Sequence, residues 1–560
     1  MPHTRGNEIR ELYESMAYNE VSTISIDQAI GDLVKRHDIC QDKSVPFNDD
    51  NELAKRLFEI ADMVEKDRSS LNDIFSKRVP IAIETPSKDI DLLISFSRYY
   101  ATLISQNKLW RQVNIDGGTW PQNAVSSVYY TLSTIIQSSH IQLYLKHLSF
   151  GPRVVLGGQS SIDTAMIVLA DADLDSAIGT LTSERVGKTD YLDRPLWYLK
   201  KIWVQEPIKD KFVRMIDELQ IKEDTSSIKR MLHGFRNRDE VIQNLAAEAH
   251  IKAVAIWSGD VVAAKNMANA ADRVFLVWIN SYGEIGPGVS LPWVDVEHHL
   301  VNPINTTPNL HKRVDGKKTI DLFYDGVWKE PVDETYWEAE DGTLWANATW
   351  SDVEKCVASA EKAFKKWHSV PLSHRQKCFY YLANRVQSSG DWKLSQLIRA
   401  CSECPSLCGS SSSRIRDGEV EIITTREPKG VVAIASDDPH HILRRMVCAC
   451  VAGNCVIVAN GGLAPKGSGI EEYCDMLATC GFPPGVINSL SFPNVGAAVI
   501  DLSNIRSVAI TCTDHFSALR TENADLRPVY WIDTENAYDS LDERLYTKYT
   551  RPKSVWLPLK

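Results

Sequence analysis

Short apolar runs bounded by glycine or acidic residues shape the pattern of residues 151–219. Residues 154–156, 166–169 and 202–204 are runs of β-branched and other apolar residues. Runs of this length that are apolar at successive positions are typical of strands buried in an α/β sheet. The stretches between them alternate polar and apolar residues at helical spacing. The pattern therefore predicts an α/β fold.

Helices are predicted between and after these strands and also earlier in the sequence. Asp171, Asp173 and Asp175 open one of them, because carboxylates there cap free N–H groups and favour the positive end of the helix dipole. Residues 207–219 predict an amphipathic helix. Near the start of the sequence a spacing of three and four recurs in 53–63 and in 90–104, which predicts two more.

Two apolar stretches in the second half read as strands. Residues 446–458 form a strand-like run that contains several cysteines, and residues 554–557 predict a terminal strand. Pro558 closes that strand and favours the edge of a sheet, because proline has no N–H to donate to a neighbour. We therefore expect the terminal strand to find its partner outside its own sequence neighbourhood.

Composition bounds the class of protein. The chain has 560 residues, 44% hydrophobic and 24% charged, which is enough for two or more domains with their own cores. A net charge of -11 gives no reason to expect nucleic acid or an anionic membrane as partner. No signal peptide and no apolar stretch of about twenty residues is visible. Of twelve cysteines, eleven follow residue 355, a usage that predicts a reducing, cytoplasmic location.

Three motifs in order resemble the catalytic half of the aldehyde dehydrogenase superfamily. They are LGGQS at 156–160, DADLD at 171–175 and VQE at 204–206. The resemblance implies an aldehyde dehydrogenase architecture. It also places the family's general base at Val155 and its thiol nucleophile near Leu196. Without a base and a thiolate the family's covalent route cannot run, so we predict no catalytic residues here.

A relocated thiol is the alternative that keeps the chain an NAD-dependent aldehyde dehydrogenase. No cysteine lies between Cys40 and Cys356, so only Cys40 and the later cysteines are candidates. The interval from Trp110 to Ile136 is also too short for the βαβ units of a dinucleotide-binding domain. Gly286, Pro287 and Gly288 form a turn that needs no cofactor role.

The chain resembles the opening of an aldehyde dehydrogenase a second time from about Asp321. Residues 426–439, 450–462 and 480–491 resemble the family's nucleotide-domain motifs, which implies an internal duplication. We predict a first unit at 1–318 with a shortened cofactor module. A truncated second unit follows at 319–560, consisting of a Rossmann-like remnant and the terminal strand.

The second unit departs from the family at its nucleotide contacts. The ribose-binding lysine aligns with Ala459, the proline after it with Asn460, and the phosphate-binding Gly-Ser pair with Cys512 and Thr513. The oxyanion asparagine falls among residues 437–439. We therefore predict no cofactor. A nucleotide sensor that uses the Thr513 hydroxyl at a helix start is the second alternative.

The duplication and the closing VWLPL sequence are similar to aldehyde dehydrogenase family 16. The chain is identified as a member of the branch that has lost the nucleophile. The resemblance implies a catalytically inactive protein that forms a homodimer and binds other proteins as a scaffold. It also implies that the terminal strand pairs in a sheet at the subunit interface.

No metal site is predicted. Cys401, Cys404 and Cys408 lack a nearby fourth ligand, which a structural zinc requires. The adjacent pairs 298–299 and 440–441 are histidines that point apart on a strand, and are read as surface or turn residues. Asp163 and Glu184 are read as solvated helix caps rather than as a catalytic carboxylate pair.

Overall fold

The computed structural model describes the following parts of the chain: residues 50–76, 84–106, 162–182, 197–218, 225–248, 250–272, 274–287, 310–339, 341–405, 411–416, 419–435, 439–461, 470–493, 502, 508–512, 529–531, 546 and 549–559.

The strands in the described part are, in chain order, β1 (Ile162–Val168), β2 (Trp197–Gln205), β3 (Leu232–Phe235), β4 (Ala253–Trp257), β5 (Leu276–Ile279), β6 (Leu310–His311), β7 (Thr319–Ile320), β8 (Leu322–Tyr324), β9 (Val327–Lys329), β10 (Tyr336–Glu338), β11 (Leu344–Ala346), β12 (Ser411–Arg416), β13 (Val420–Pro428), β14 (Val431–Ala435), β15 (Cys455–Gly461), β16 (Ile487–Phe492), β17 (Val508–Cys512), β18 (Val529–Trp531) and β19 (Thr550–Pro558). The α-helices are α1 (Asp50–Ser76), α2 (Glu84–Ser105), α3 (Leu174–Thr182), α4 (Glu206–Glu218), α5 (Thr225–Met231), α6 (Arg238–Ala247), α7 (Val261–Ala270), α8 (Trp350–Trp367), α9 (Leu372–Ser388), α10 (Trp392–Ser402), α11 (Pro439–Val451) and α12 (Glu471–Leu477), and a 3₁₀ turn spans Ala478–Cys480. Alternating strands and helices confirm the predicted α/β fold.

An eight-stranded sheet has the order β3-β2-β1-β4-β5-β19-β13-β12. The strands from β3 to β19 run parallel, whereas β13 and β12 form an antiparallel hairpin on the far side of β19. The strand order reverses between β1 and β4, and a crevice is expected at the carboxyl ends of strands at such a point. The apolar runs at 166–169 and 202–204 lie in and next to β1 and within β2, as predicted.

Helices cover both faces of this sheet. One face packs against α1, α2, α3 and α4, and the other packs against α6 and α7. In α1 the positions predicted for the apolar face are buried at Leu57, Ile60 and Met63. This burial confirms the helical spacing read from 53–63. The predicted helix at 207–219 is α4, whose Phe212 and Ile216 are buried.

A seven-stranded sheet of order β18-β17-β14-β15-β16-β8-β9 forms the second α/β array. Its strands β18 to β16 are parallel, and β8 and β9 add antiparallel. Its core is continuous with α8, α9, α10 and α11. A small sheet, β6-β10-β11-β7, lies beside it in sequence.

Residues 446–458 are not one strand. The first six of them close the helix α11, and β15 begins at Cys455. The whole run is apolar because both elements are buried in the same core. Periodicity alone cannot separate a buried helix from a buried strand, which is why the strand reading was wrong for 446–451.

The terminal strand exists, but its partners lie in its own chain. β19 pairs antiparallel with β13 along all nine of its residues, from Thr550 to Pro558, and parallel with β5 at Ser554 to Trp556. Both hydrogen-bonding edges of β19 are therefore occupied at Ser554 to Trp556. The expectation that a strand of another subunit completes this pairing is wrong for these residues.

Among the described helices, none combines the length and apolar character that spanning a bilayer requires.

Candidate functional site

The crevice between β1 and β4 is the first place where a ligand site is expected. In open α/β sheets ligands bind outside the carboxyl ends of the strands where the strand order reverses. Here the Asp171 carboxylate accepts hydrogen bonds from the Ser258 hydroxyl at 3.1 Å and from the Asp260 N–H at 2.8 Å. A Cβ at Gly259 would lie 2.8 Å from the Asp171 carbonyl oxygen, so only glycine fits between them. The two strand ends are thus bridged by the chain's own groups.

Asn280 extends this bridge to β5. Its side-chain amide donates to the Ser258 carbonyl at 2.9 Å, and its oxygen accepts from the Ser258 N–H at 2.9 Å. Asn280 has a φ of 51°, a left-handed conformation that asparagine tolerates better than most residues. The network holds three strand ends together.

Asp171 is not a helix cap, which corrects the sequence prediction. Asp173 has that role before α3, since its Oδ1 accepts from the N–H groups of Asp175 at 3.1 Å and Ser176 at 3.3 Å. Hydrogen bonding from the Ser176 hydroxyl, followed by that of its N–H, lowers the pKa of Asp173. Asp175 lies in the first turn as expected.

The predicted positions of the base and the nucleophile, Val155 and Leu196, lie outside the described residues. Trp197, the next residue, begins β2 and packs edge-on against Trp278 with ring centroids 4.9 Å apart. Tyr282 also packs against Trp278, and its hydroxyl lies 2.8 Å from the Thr164 hydroxyl.

The cysteines test the alternative of a relocated nucleophile. Nine cysteine side chains lie in the described part of the chain, and each is at most 2% exposed. They are Cys356, Cys378, Cys401, Cys404, Cys448, Cys450, Cys455, Cys474 and Cys480. Cys40 and Cys408 lie outside the described residues, as does the side chain of Cys512.

Burial makes these thiols poor nucleophiles. It raises the pKa of Cys356, Cys450 and Cys474. Hydrogen bonding to the thiols of Cys401 and Cys404, and then burial, raises the pKa of Cys448. The thiolate is the reactive form, and a buried thiol with a raised pKa is structural rather than catalytic.

The second candidate crevice lies between β14 and β17, where the order of the seven-stranded sheet reverses. Pro439 begins α11 at this edge, while residues 437, 438 and Thr513 lie outside the described part. Ala459, at the position that resembles the family's ribose-binding lysine, is 1% exposed and has no polar side chain.

The Asn460 side chain is engaged in a hydrogen bond within the protein. Its amide donates to Glu471 Oε1 at 3.3 Å, and the Ser489 hydroxyl donates to the same oxygen at 3.0 Å. The residues described at this edge therefore do not fit the ribose contact that the resemblance implies for NAD.

In space, Cys448 of α11 lies against Cys401 and Cys404, with its Sγ 4.0 Å from the Cys401 carbonyl oxygen, so that three described cysteines are in contact. Sequence spacing could not reveal this contact, because Cys448 follows Cys401 by 47 residues. Within the described ranges no three His, Cys, Asp or Glu side chains are placed to hold a metal ion. His440 and His441 lie in the first turn of α11, not on a strand, and residues 298–299 are outside the described part.

Asp163 lies inside β1 and is therefore not a helix cap, contrary to the prediction. Its carboxylate forms an ion pair with Lys200 of β2 at 3.8 Å. Glu184, its proposed partner, lies outside the described residues.

A buried charged side chain, Lys553, was not indicated by any sequence pattern. Lys553 in β19 is 1% exposed, and its ammonium donates to Glu427 at 2.7 Å and to the Ala271 carbonyl oxygen at 2.8 Å. Burial lowers the pKa of Lys553, and Glu427 partly opposes that shift. This contact joins β13, β19 and the carboxyl end of α7.

Comparisons with known proteins find similarity to aldehyde dehydrogenases over part of the chain. The family model for the aldehyde dehydrogenase family matches residues 388–525. Aldehyde dehydrogenase tropH of Talaromyces stipitatus is 28% identical over 202 residues, which cover 30% of this chain and 39% of that protein. Aldehyde dehydrogenase 1A1 of Equus caballus is 26% identical over 243 residues, covering 38% and 46%. The chain thus spans less than half the length of these curated relatives.

Among solved structures, a salicylaldehyde dehydrogenase from Pseudomonas putida G7, complexed with salicylaldehyde, is 21% identical over 35% of this chain and 47% of that chain, with a TM-score of 0.32. A TM-score this low adds nothing to the assignment. The family match at residues 388–525 and the curated relatives thus show similarity to aldehyde dehydrogenases over part of the chain.

Proposed function

We propose that this chain is an aldehyde dehydrogenase-like protein that does not oxidise aldehydes through a thiol and acts as a protein-binding, self-associating scaffold. The burial of all nine described cysteines carries this proposal. Covalent aldehyde oxidation needs an accessible thiolate to form the hemithioacetal and a base to activate the deacylating water. Those thiols are packed in the core beneath α-helices and have no such access.

The proposed lineage is aldehyde dehydrogenase family 16, with units at 1–318 and 319–560 that arose by duplication. The repeated opening motif from Asp321 supports it. β13 and β19, which belong to the second unit, complete the sheet of the first. The two units would therefore form one folded body.

Exposed apolar side chains support the protein-binding part of the proposal. Large hydrophobic residues exposed by 43% or more lie between residues 310 and 350, on or shortly after the edge strands β6 and β9 and at the start of α8. Where such side chains form one contiguous patch, they mark a site of protein association. The residues are Leu310, Val314, Val327, Val332 and Trp350. The net charge of -11 and the cysteine usage favour a cytoplasmic location without nucleic-acid partners.

The test is an NAD-dependent aldehyde oxidation assay with the purified full chain. We expect no turnover above buffer. Leu196→Cys alone should restore none, because the base position would still be Val155. Turnover that iodoacetamide abolishes in the unmodified chain would overturn the proposal, as would turnover gained by Leu196→Cys.

The second candidate is an NAD-dependent aldehyde dehydrogenase. The names of the curated relatives favour it, since they are aldehyde dehydrogenases. It requires a thiol outside the described side chains, such as Cys40. The assay above separates the two, and loss of turnover in Cys40→Ser would then assign the nucleophile.

A further inference from the structure

Aspartate followed by glycine can change its own backbone. The glycine nitrogen attacks the aspartate side-chain carbonyl carbon and expels a water molecule, which leaves a five-membered succinimide ring. A water molecule then opens the ring at either carbonyl. One product is aspartate again, and the other is isoaspartate, in which the main chain runs through the side-chain carbon. Glycine has no Cβ to hinder the attack, so an Asp-Gly pair is intrinsically prone to this reaction when nothing restrains it.

The sequence contains five such pairs. The pairs beginning at Asp315, Asp325 and Asp341 lie in the described part of the chain, and those beginning at Asp116 and Asp417 lie outside it. Each of the three described pairs lies in a turn with its glycine at positive φ. They differ in what holds the carboxylate and the attacking nitrogen.

The pair at Asp325 is restrained on both sides. The Ser359 hydroxyl donates to Asp325 Oδ1 at 3.3 Å, and the Lys329 ammonium lies 3.9 Å from Oδ2. Gly326 packs on Pro484, so that a Cβ at Gly326 would lie 3.1 Å from the proline ring. The two-residue turn is fixed by the β8 and β9 pairing. Rotation of the carboxylate toward the glycine nitrogen is therefore opposed.

The pair at Asp341 is restrained differently. Its Oδ1 accepts the Thr343 N–H at 2.9 Å. The attacking nitrogen, that of Gly342, donates to the Ala339 carbonyl oxygen at 2.9 Å. Both reacting groups are thus engaged in the hairpin between β10 and β11.

The pair at Asp315 has none of these restraints. Asp315 and Gly316 are exposed in the turn between β6 and β7, which is closed by the Lys317 N–H donating to the Val314 carbonyl oxygen at 3.3 Å. A Cβ placed at Gly316 would meet nothing within 4 Å. Two cations that lie within two residues of Asp315 in sequence have other partners, since Lys317 pairs with Glu338 and Arg313 with Glu330. No described residue hydrogen-bonds the Asp315 carboxylate or the Gly316 N–H.

We propose that Asp315, rather than Asp325 or Asp341, is the site where the described part of the folded chain forms isoaspartate, and hence a modification site for a carboxyl methyltransferase that recognises isoaspartyl residues. Water leaves and returns, so the protein keeps its mass. The main chain between β6 and β7 lengthens by one carbon atom. The reaction needs no oxidant and no cofactor of this protein.

The test compares sites within one molecule. The full folded chain is incubated at body temperature and neutral pH, then labelled with a protein isoaspartyl methyltransferase and methyl-labelled S-adenosylmethionine. It is also mapped with endoproteinase Asp-N, which does not cut at isoaspartate. We expect the label to concentrate in the peptide containing Asp315 and to exceed several-fold that at Asp325 or Asp341.

Two variants and one condition complete the test. Asp315→Glu should remove the label, because cyclisation would then need a less favourable six-membered ring, while Asp325→Glu should leave it unchanged. Incubation in guanidinium should bring the label at Asp325 and Asp341 close to that at Asp315, because the folded turns no longer select among these three pairs. Label in the folded chain that is greater at Asp325, at Asp341 or at the buried Asn460-Gly461 pair than at Asp315 would overturn the proposal. So would the absence of label at Asp315 or label that survives in Asp315→Glu.

Discussion

Trp556 is a large buried side chain in the central part of the eight-stranded sheet. It is 1% exposed, lies opposite Trp278 across the β19 and β5 pairing, and packs in the same core as Ile422 of β13. The side chain therefore supports the pairing of three strands that come from distant parts of the sequence. Its loss would leave a cavity at the centre of that junction.

Trp556→Ala should destabilise the chain by about 3–5 kcal/mol, the range for truncating a large buried aromatic residue. Chemical denaturation followed by fluorescence measures this change in the free energy of unfolding. Trp350→Ala is the matched control, because Trp350 is 44% exposed and its loss should change stability by less than about 0.5 kcal/mol. Equal losses in the two variants would contradict the packing described for β19.

His233 in β3 gives the stability of the chain a pH dependence. Partial desolvation of this exposed imidazole, followed by the nearby positive charge of Lys201, lowers the pKa of His233 in the folded chain. Lys209 acts in the same direction, while Glu248 opposes it. The unfolded chain, with an ordinary imidazole, takes up the proton first as the pH falls.

The contribution of His233 is therefore fully present above the unfolded pKa of about 6.5 and is lost as the pH falls through the folded pKa. His233→Gln should lose less thermal stability than the unmodified chain between about pH 7.5 and about pH 5. Melting temperatures at matched ionic strength measure the difference. A larger acid loss in the variant would reverse the sign inferred here.

Sequence reasoning at this scale succeeds where a residue acts locally. The burial of Leu57 and Ile60 follows from helical spacing, and Asp173 and Asp175 do lie at a helix start. It fails for Asp171, whose partner Ser258 is 87 residues away, and for Lys553, whose partner Glu427 is 126 residues away. Such pairings depend on which strands become neighbours, and no local pattern encodes that.

At the scale of elements, β19 is held by polar contacts as well as by pairing. The buried Lys553 ammonium is neutralised by Glu427, and Glu427 also lies 3.4 Å from Arg551 of the same strand. These buried polar contacts, together with the strand pairing, hold β19 in its place in the sheet. The sequence revealed that residues 554–557 form a strand, but Pro558 wrongly suggested an edge because it lies at the last paired position, beyond the β5 contact.

Glu427→Gln should destabilise the sheet by about 3–5 kcal/mol, the cost of leaving one partner of a buried ion pair uncompensated. The double variant Glu427→Gln with Lys553→Met should recover most of that loss, because no buried charge then remains. Thermal unfolding of the two variants measures the recovery. If the double variant were less stable than the single one, the buried charge would not be the cause.

At the scale of the whole molecule, the two parallel arrays share a strand order. Read from the first strand, both place the second and third strands on one side and the fourth and fifth on the other. Each array therefore has one point where the strand order reverses, and at the described carboxyl edges of both arrays polar side chains hydrogen-bond within the chain. The α/β class was predictable from short apolar runs, whereas the joining of both halves in one sheet was not, because β5 and β19 are distant in sequence.

NAD should leave the melting temperature of the full chain unchanged at millimolar concentration. A working site would add about 2.7 kcal/mol of stability at a hundredfold excess over the dissociation constant. Differential scanning fluorimetry measures the shift. A saturable increase would favour the nucleotide-sensor alternative, and its loss in Thr513→Ala would place the ligand at the start of the helix predicted there.

The position of β19 also bears on how the chain folds as it is made. The ribosome releases Ile279 at the end of β5 about 270 residues before Thr550, and at about 5–20 residues per second this interval lasts roughly 15 to 55 seconds. During that time β5 lacks the neighbouring strand whose Trp556 later packs beside Trp278. Uncovered apolar strand edges of this kind promote aggregation. We therefore expect that faster elongation through residues 280–549, which shortens the time during which β5 lacks this neighbour, raises the yield of soluble protein.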